Sequence, residues 1–201
     1  MRLGLLGPAL DQEGALEEAA RFLLQDVAVD RAVYLGIDGM LDRVVRRWAE
    51  RVVGANPDDG ALWTRAAARC VRASAEEIDG FLDAERERRS LKVLESLPGD
   101  QARAIEILNG KVAVMIWDKA RLDEDDIAPA ALLVFGKSAA PMVERVGSRW
   151  FLSPGPFPDA GTMLLEDHDD GIHVSLFDAD GKEQRRELLL PGRGAKLQVK
   201  G

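Results

Sequence analysis

The chain has 201 residues, 46% hydrophobic and 31% charged, a balance that supports one ordinary globular core and excludes intrinsic disorder. Its formal net charge of -8 repels a phosphate backbone, and no Lys/Arg cluster interleaved with aromatics makes a local exception, so no nucleic-acid partner is expected. A single cysteine, Cys70, rules out an internal disulfide framework, and no Cys/His spacing points to structural zinc.

Met1 to Leu6 is apolar but short, and Asp11, Glu13, Glu17 and Glu18 follow almost at once, so neither a signal peptide nor membrane insertion is expected and the chain reads as cytoplasmic. Arg2 to Leu6 predicts a buried strand stopped by Gly7 and Pro8. Glu13 to Gln25 then predicts a helix, with Ala15, Leu16, Ala19, Ala20 and Leu23 at helical spacing. Val27 to Leu35 predicts a second strand, and Met40 to Val53 a helix with Leu41, Val44, Val45, Trp48 and Val52 on one face. This βαβα opening implies a parallel sheet.

Asn56 to Gly60 reads as a loop, and 61–97 as a helical segment whose internal start is Ser74-Ala75-Glu76-Glu77, a side-chain cap with acidic residues in the first turn. The charge run Asp83 to Arg89 reads as a solvated helical face. Ala104 to Leu108 and Lys111 to Trp117 flank Asn109-Gly110, the pair that a two-residue hairpin loop prefers. Ala131 to Phe135 is a further buried strand. Hairpins follow over Met142 to Leu152 and Thr162 to Phe177, and Glu183 to Leu190 adds a last strand, so the second half is strand-rich and mostly antiparallel. Residues 1–190 are expected to form one domain, with 191–201 as a flexible Gly/Lys-rich tail.

Gly4-Leu5-Leu6-Gly7-Pro8-Ala9-Leu10, with a helix a few residues on, resembles the opening of small prokaryotic calcineurin-like metallophosphoesterases, where the same strand end carries Asp-x-His. Tyr34-Leu35-Gly36-Ile37 is similar to that family's strand ending in Gly-Asp. Val53-Gly54-Ala55-Asn56-Pro57-Asp58 resembles a broken Gly-Asn-His-Asp loop. Val112 to Trp117 resembles the strand that ends in a ligand histidine. Phe135-Gly136-Lys137-Ser138-Ala139-Ala140-Pro141 is similar to Gly-His-Thr-His-x-Pro, and Ser153-Pro154-Gly155-Pro156 to the Asn-Pro-Gly-Ser turn that follows it. The order of the motifs is the family's, and the likeness spans most of residues 1–190. It implies an α/β fold: a two-sheet sandwich flanked by helices, with the motif loops meeting at one edge.

On this resemblance the metal-ligand positions are occupied by Pro8, Leu10, Ile37, Asn56, Trp117, Lys137 and Ala139, with Ala55 as the alternative to Asn56. A dinuclear site needs carboxylate, amide and imidazole donors to polarise phosphate and acidify a water. Pro8, Leu10, Ile37, Trp117 and Ala139 offer no such side-chain donor, and the Lys137 ammonium has no lone pair and repels a cation. The expectation is therefore a chain with no metal, cofactor or phosphoesterase activity.

Other clusters are read plainly. His168 and His173, the only histidines, lie in or beside the polar turn Asp167 to Gly171, and Leu122 to Asp126 lacks the alternation of a calcium loop. Loss of charged ligands leaves Leu10, Ile37, Trp117 and Lys137 either as a packed plug or as a binding face. The leading expectation is a noncatalytic adaptor or scaffold for a protein partner. The alternatives are a non-hydrolysing binder of a phosphate-containing small molecule or nucleotide through Lys137, with Arg145 or Arg149, and a residual phosphoesterase with a moved metal site. Neither the partner nor the oligomeric state is specified by these residues.

Overall fold

The computed structural model describes residues 1–191. The remainder of the expected tail, 192–201, lies outside the described residues. Among the described residues, eleven strands and five α-helices follow in chain order. They are β1 (Arg2–Leu6), α1 (Glu13–Arg21), β2 (Arg31–Tyr34), α2 (Met40–Val53), α3 (Leu62–Cys70), α4 (Ala75–Ser90) and β3 (Leu94–Ser96). Then come β4 (Arg103–Leu108), β5 (Lys111–Ile116), α5 (Glu124–Ile127), β6 (Ala130–Phe135), β7 (Met142–Val146) and β8 (Arg149–Ser153). Last are β9 (Thr162–His168), β10 (Gly171–Phe177) and β11 (Glu183–Pro191).

Two mixed sheets result. The first has six strands in the order β11-β10-β9-β1-β2-β3, and the second five in the order β4-β5-β6-β8-β7. The opening unit behaves as its apolar runs dictate: β1 pairs parallel with β2, and β2 with β3. Strand β1 sits centrally and is buried on both sides, which is why Leu3 to Leu6 carries no polar alternation. Leu3 and Leu5 enter the core between the sheets with Val33, Met115, Leu132, Val134 and Leu165. Leu6 joins Leu16, Ala20, Leu23, Leu41 and Val44 in the core between the first sheet and its helices.

The structure departs from the sequence expectation in several places. The helix predicted to Gln25 widens after Arg21 into a π-helical turn, Phe22–Asp26. The second strand is shorter than Val27 to Leu35, because Ala28 takes a φ of 53°, which breaks an extended run. The segment 61–97 contains two helices, but its end is a short 3-10 turn leading into β3, so Leu94 to Ser96 adds a sheet edge rather than helix. Ser74 does cap α4, its hydroxyl accepting from Glu77 N while Glu77 Oε2 accepts from Ser74 N at 2.7 Å.

In the second sheet, β4 and β5 form the expected hairpin, with Asn109 and Gly110 at φ 47° and 66°, the two left-handed residues of a type I′ turn. Parallel pairing of β5 with β6 and of β6 with β8 makes the centre of this sheet more parallel than its hairpin signals suggest. The run Leu122 to Asp126 includes the first residues of α5, which is capped by Asp123 and held by an Arg103–Asp126 ion pair at 2.8 Å. Strand β11 extends to Pro191, the first residue of the expected tail.

Candidate functional site

The sequence-predicted positions lie just after the carboxyl ends of β1, β2, β5 and β6, with Asn56 after α2. Adjacent loops are tied by backbone. Leu35 N donates to Leu6 O at 2.8 Å, Lys137 N donates to Trp117 O at 2.8 Å, and Phe157 N donates to Pro8 O at 3.0 Å. The two sheets meet here at Gly136, where a side chain would collide with the carbonyl and Cβ of Leu35, the Cβ at 2.8 Å. That close approach brings the Trp117/Lys137 pair of loops against the Pro8/Ile37 pair.

Each predicted residue then has a distinct surrounding. Pro8 is buried, whereas Leu10 and Ile37 are 60% and 46% exposed. Leu10 and its neighbour Asp11 sit at φ 47° and 68°, two consecutive left-handed residues without a glycine, a conformation that costs about 1–2 kcal/mol per residue. Trp117 is half-buried against the inter-sheet core. Lys137 is exposed, but its ammonium donates to Asp118 Oδ2 at 2.6 Å. That contact, with the Ala120 N–H on the same carboxyl, holds Asp118 below the usual carboxylate range. Ala139 is exposed, and Asn56 turns toward the helical segment, its carbonyl accepting from Arg65 Nη1 at 2.7 Å. Arg145 and Arg149 do not join Lys137: their Nε atoms donate to the carbonyls of Gly147 and Ile127.

Sequence reasoning passed over the pair that organises the site, Tyr34 and Asp38. The Tyr34 hydroxyl, fully buried, accepts from Ala9 N at 3.0 Å and donates to Asp38 Oδ1 at 2.9 Å. Asp38 Oδ1 also accepts from Met40 N at 3.0 Å, tying the start of α2 to the same point. Burial, reinforced by the negative charge of Asp38, pushes the phenol far up, so it stays a neutral donor. Gly36 makes room, since a methyl there would overlap the phenol ring. The available signal was Tyr34 itself, the only tyrosine in the chain, two residues ahead of a glycine.

These residues do not fit a dinuclear metal centre. Five of the seven positions lack a donor atom, the sixth is an ion-paired ammonium, and the seventh is an amide whose backbone is committed to Arg65. Among the described residues no group of three or more His, Cys, Asp or Glu side chains is gathered where it would hold a metal ion. His173 is engaged with Asp170 at 2.9 Å across a turn that the strands shorten to Asp169-Asp170. Among the described residues, no helix is long and apolar enough to cross a membrane.

No family model matches the chain, and no curated protein matches it. Solved structures do. Vacuolar protein sorting 29 of Cryptosporidium parvum superposes with a TM-score of 0.53 at 13% identity, over 94% of this chain and 97% of that one. An archaeal phosphodiesterase superposes with a TM-score of 0.50 at 11% identity, over 88% and 100%. At such identities the likeness is one of architecture, and it agrees with the two mixed sheets and flanking helices: the chain has the calcineurin-like metallophosphoesterase fold.

Proposed function

We propose that this protein is a noncatalytic member of its fold class, a cytoplasmic adaptor or scaffold that binds a protein partner through the loops where relatives would hold metal. One solved neighbour carries a protein-sorting name and the other a phosphodiesterase name, so the fold by itself admits both binding and hydrolysis. The donor set favours binding. The observation that carries the reading is the exposure of Leu10 and Ile37 at the loop ends, aliphatic side chains presented to solvent beside the half-buried Trp117. A packed plug would have taken both out of water. The left-handed backbone at Leu10 and Asp11 adds support, because strain of this kind is retained where a loop shape is used.

The test is capture of partners by the tagged chain, wild type against Leu10→Asp with Ile37→Asp. Both side chains are solvent-exposed, and aspartate tolerates the left-handed backbone at position 10 better than leucine does, so the variant should lose no more than about 0.5 kcal/mol while a specifically captured protein is lost. Equal capture by both chains, or turnover of a model phosphodiester on adding manganese, would refute the reading. The phosphate-binding alternative through Lys137 has less support: an anion has to displace Asp118 from the ammonium first. Within this reading, residues 1–190 act as one unit.

A further inference from the structure

Away from these loops, α1, the π-helical turn, α2 and the end of α4 line a half-open pocket of about 390 Å³. Its size lies within the range of small-ligand pockets. The apolar lining comes from Leu24, Trp48, Val52 and Leu91, and the charged lining from Arg21, Arg51 and Glu87. Leu24 is carried by the π-helical turn, a widened geometry that recurs at functional sites.

The arginines have unspent donors. Glu17 is a carboxylate near both, yet its oxygens are already engaged, Oε2 by Arg47 at 2.7 Å and Oε1 by the Trp48 indole N–H at 2.8 Å. Arg21 and Arg51 stand off Oε1 at 3.4 and 3.8 Å, long for a charge-assisted hydrogen bond, and among the described residues neither guanidinium has a shorter polar contact. Both remain more than half exposed. Arg21 lies over the Trp48 ring at 5.8 Å, so cation and apolar wall are adjacent. In a chain of net charge -8, Arg21 and Arg51 therefore bring guanidiniums with free donors to the edge of an apolar pocket, beside Glu17, which Arg47 and Trp48 already engage, and Glu87.

We propose that this cavity binds a small monoanion with an apolar tail, of the medium-chain carboxylate class, with its head group between Arg21 and Arg51 and its tail against Leu24, Val52 and Leu91. The two guanidiniums offer up to ten N–H donors between them, and a carboxylate takes two from one fork. Glu17 and Glu87 are the opposing charges and limit affinity.

Titration calorimetry with decanoate, decanol and decyltrimethylammonium tests the proposal, because the three share a tail and differ in the head. Decanoate is expected to bind one per chain, decanol about tenfold weaker, a gap of about 1.4 kcal/mol, and the cation not at all. Arg21→Ala with Arg51→Ala should reduce decanoate affinity about tenfold or more and leave decanol unchanged, with the thermal transition of the variant checked to confirm folding. Glu87→Gln should tighten decanoate. Ser90→Trp, at the mouth, should block both ligands. Equal affinity of decanoate and decanol, indifference of decanoate to the double arginine change, or non-saturating uptake of all three would overturn the proposal.

Discussion

Replacing Tyr34 with phenylalanine removes one oxygen and strands the Ala9 N–H, which lies at a fully buried residue. An unsatisfied buried donor costs about 1–3 kcal/mol, so chemical denaturation of Tyr34→Phe should show a loss of that size without a change in cooperativity. Asp38, at the exposed end of the same chain of bonds, can turn to water and should contribute little to the loss. Leu10→Gly works in the opposite direction. A glycine relieves the left-handed strain at φ 47°, and equilibrium unfolding should register a gain of up to about 1 kcal/mol, while partner capture falls because the exposed side chain is gone. At this scale the residue types at the motif positions were legible directly, since a missing donor atom is a property of the letter. What Tyr34 does was not, because its two partners come from a different loop and from beyond the next glycine.

The α3–α4 hairpin is held by charge more than by apolar contact. Arg65 is the only buried residue of α3, and α4 buries Phe81, Glu85 and Arg88. Glu85 receives Arg65 Nε at 2.7 Å and Arg88 Nε at 2.8 Å, and Arg65 Nη1 also binds the carbonyls of Asn56 and Asp58. Both guanidiniums keep a buried Nη2 with no partner among the described residues, which offsets part of the gain. Removing one member leaves uncompensated buried charge, so Glu85→Ala should cost about 3–5 kcal/mol, read by thermal unfolding. With little apolar burial, α3 and α4 are expected to exchange their amide hydrogens before α2 does, which mass spectrometry resolves by segment. Acid should open the same hairpin. The hydrogen bond from Arg65, then that from Arg88, holds the Glu85 carboxyl below its ordinary value, so its stabilisation is complete above the unfolded-state pKa of about 4.3 and is lost as pH falls through the lower folded value. Protection in 62–90 should be level from pH 7 to pH 5 and decline below about pH 4.3. The helical pattern of 61–97 was readable from spacing, but its buried charges were not, since an arginine at a helical position looks solvated until a partner helix covers it.

Across the whole molecule, two sheets press together at the loop end, and Gly136→Ala tests how tightly. The added methyl meets the Leu35 backbone, and overpacking of this kind costs about 1–3 kcal/mol, measurable as a lowered unfolding midpoint. Millimolar manganese or zinc should leave the thermal midpoint unchanged, because a ligand stabilises only in proportion to what it binds, and among the described residues no three His, Cys, Asp or Glu side chains gather to hold a divalent ion. The alternation, apolar runs and turn residues were enough to place most strands and α2, because periodicity and turn chemistry are local. The order of the family-like segments was enough to name the fold that the solved neighbours share. By itself the sequence determined that Pro8, Leu10, Ile37, Trp117 and Ala139 carry no metal-donor side chain, for side-chain chemistry does not depend on folding. Only the tertiary structure decided that Leu10 and Ile37 stay in water, that Lys137 is spent on Asp118, and that Tyr34 joins the loops. Exposure and pairing are properties of distant segments brought together, and no local pattern encodes them.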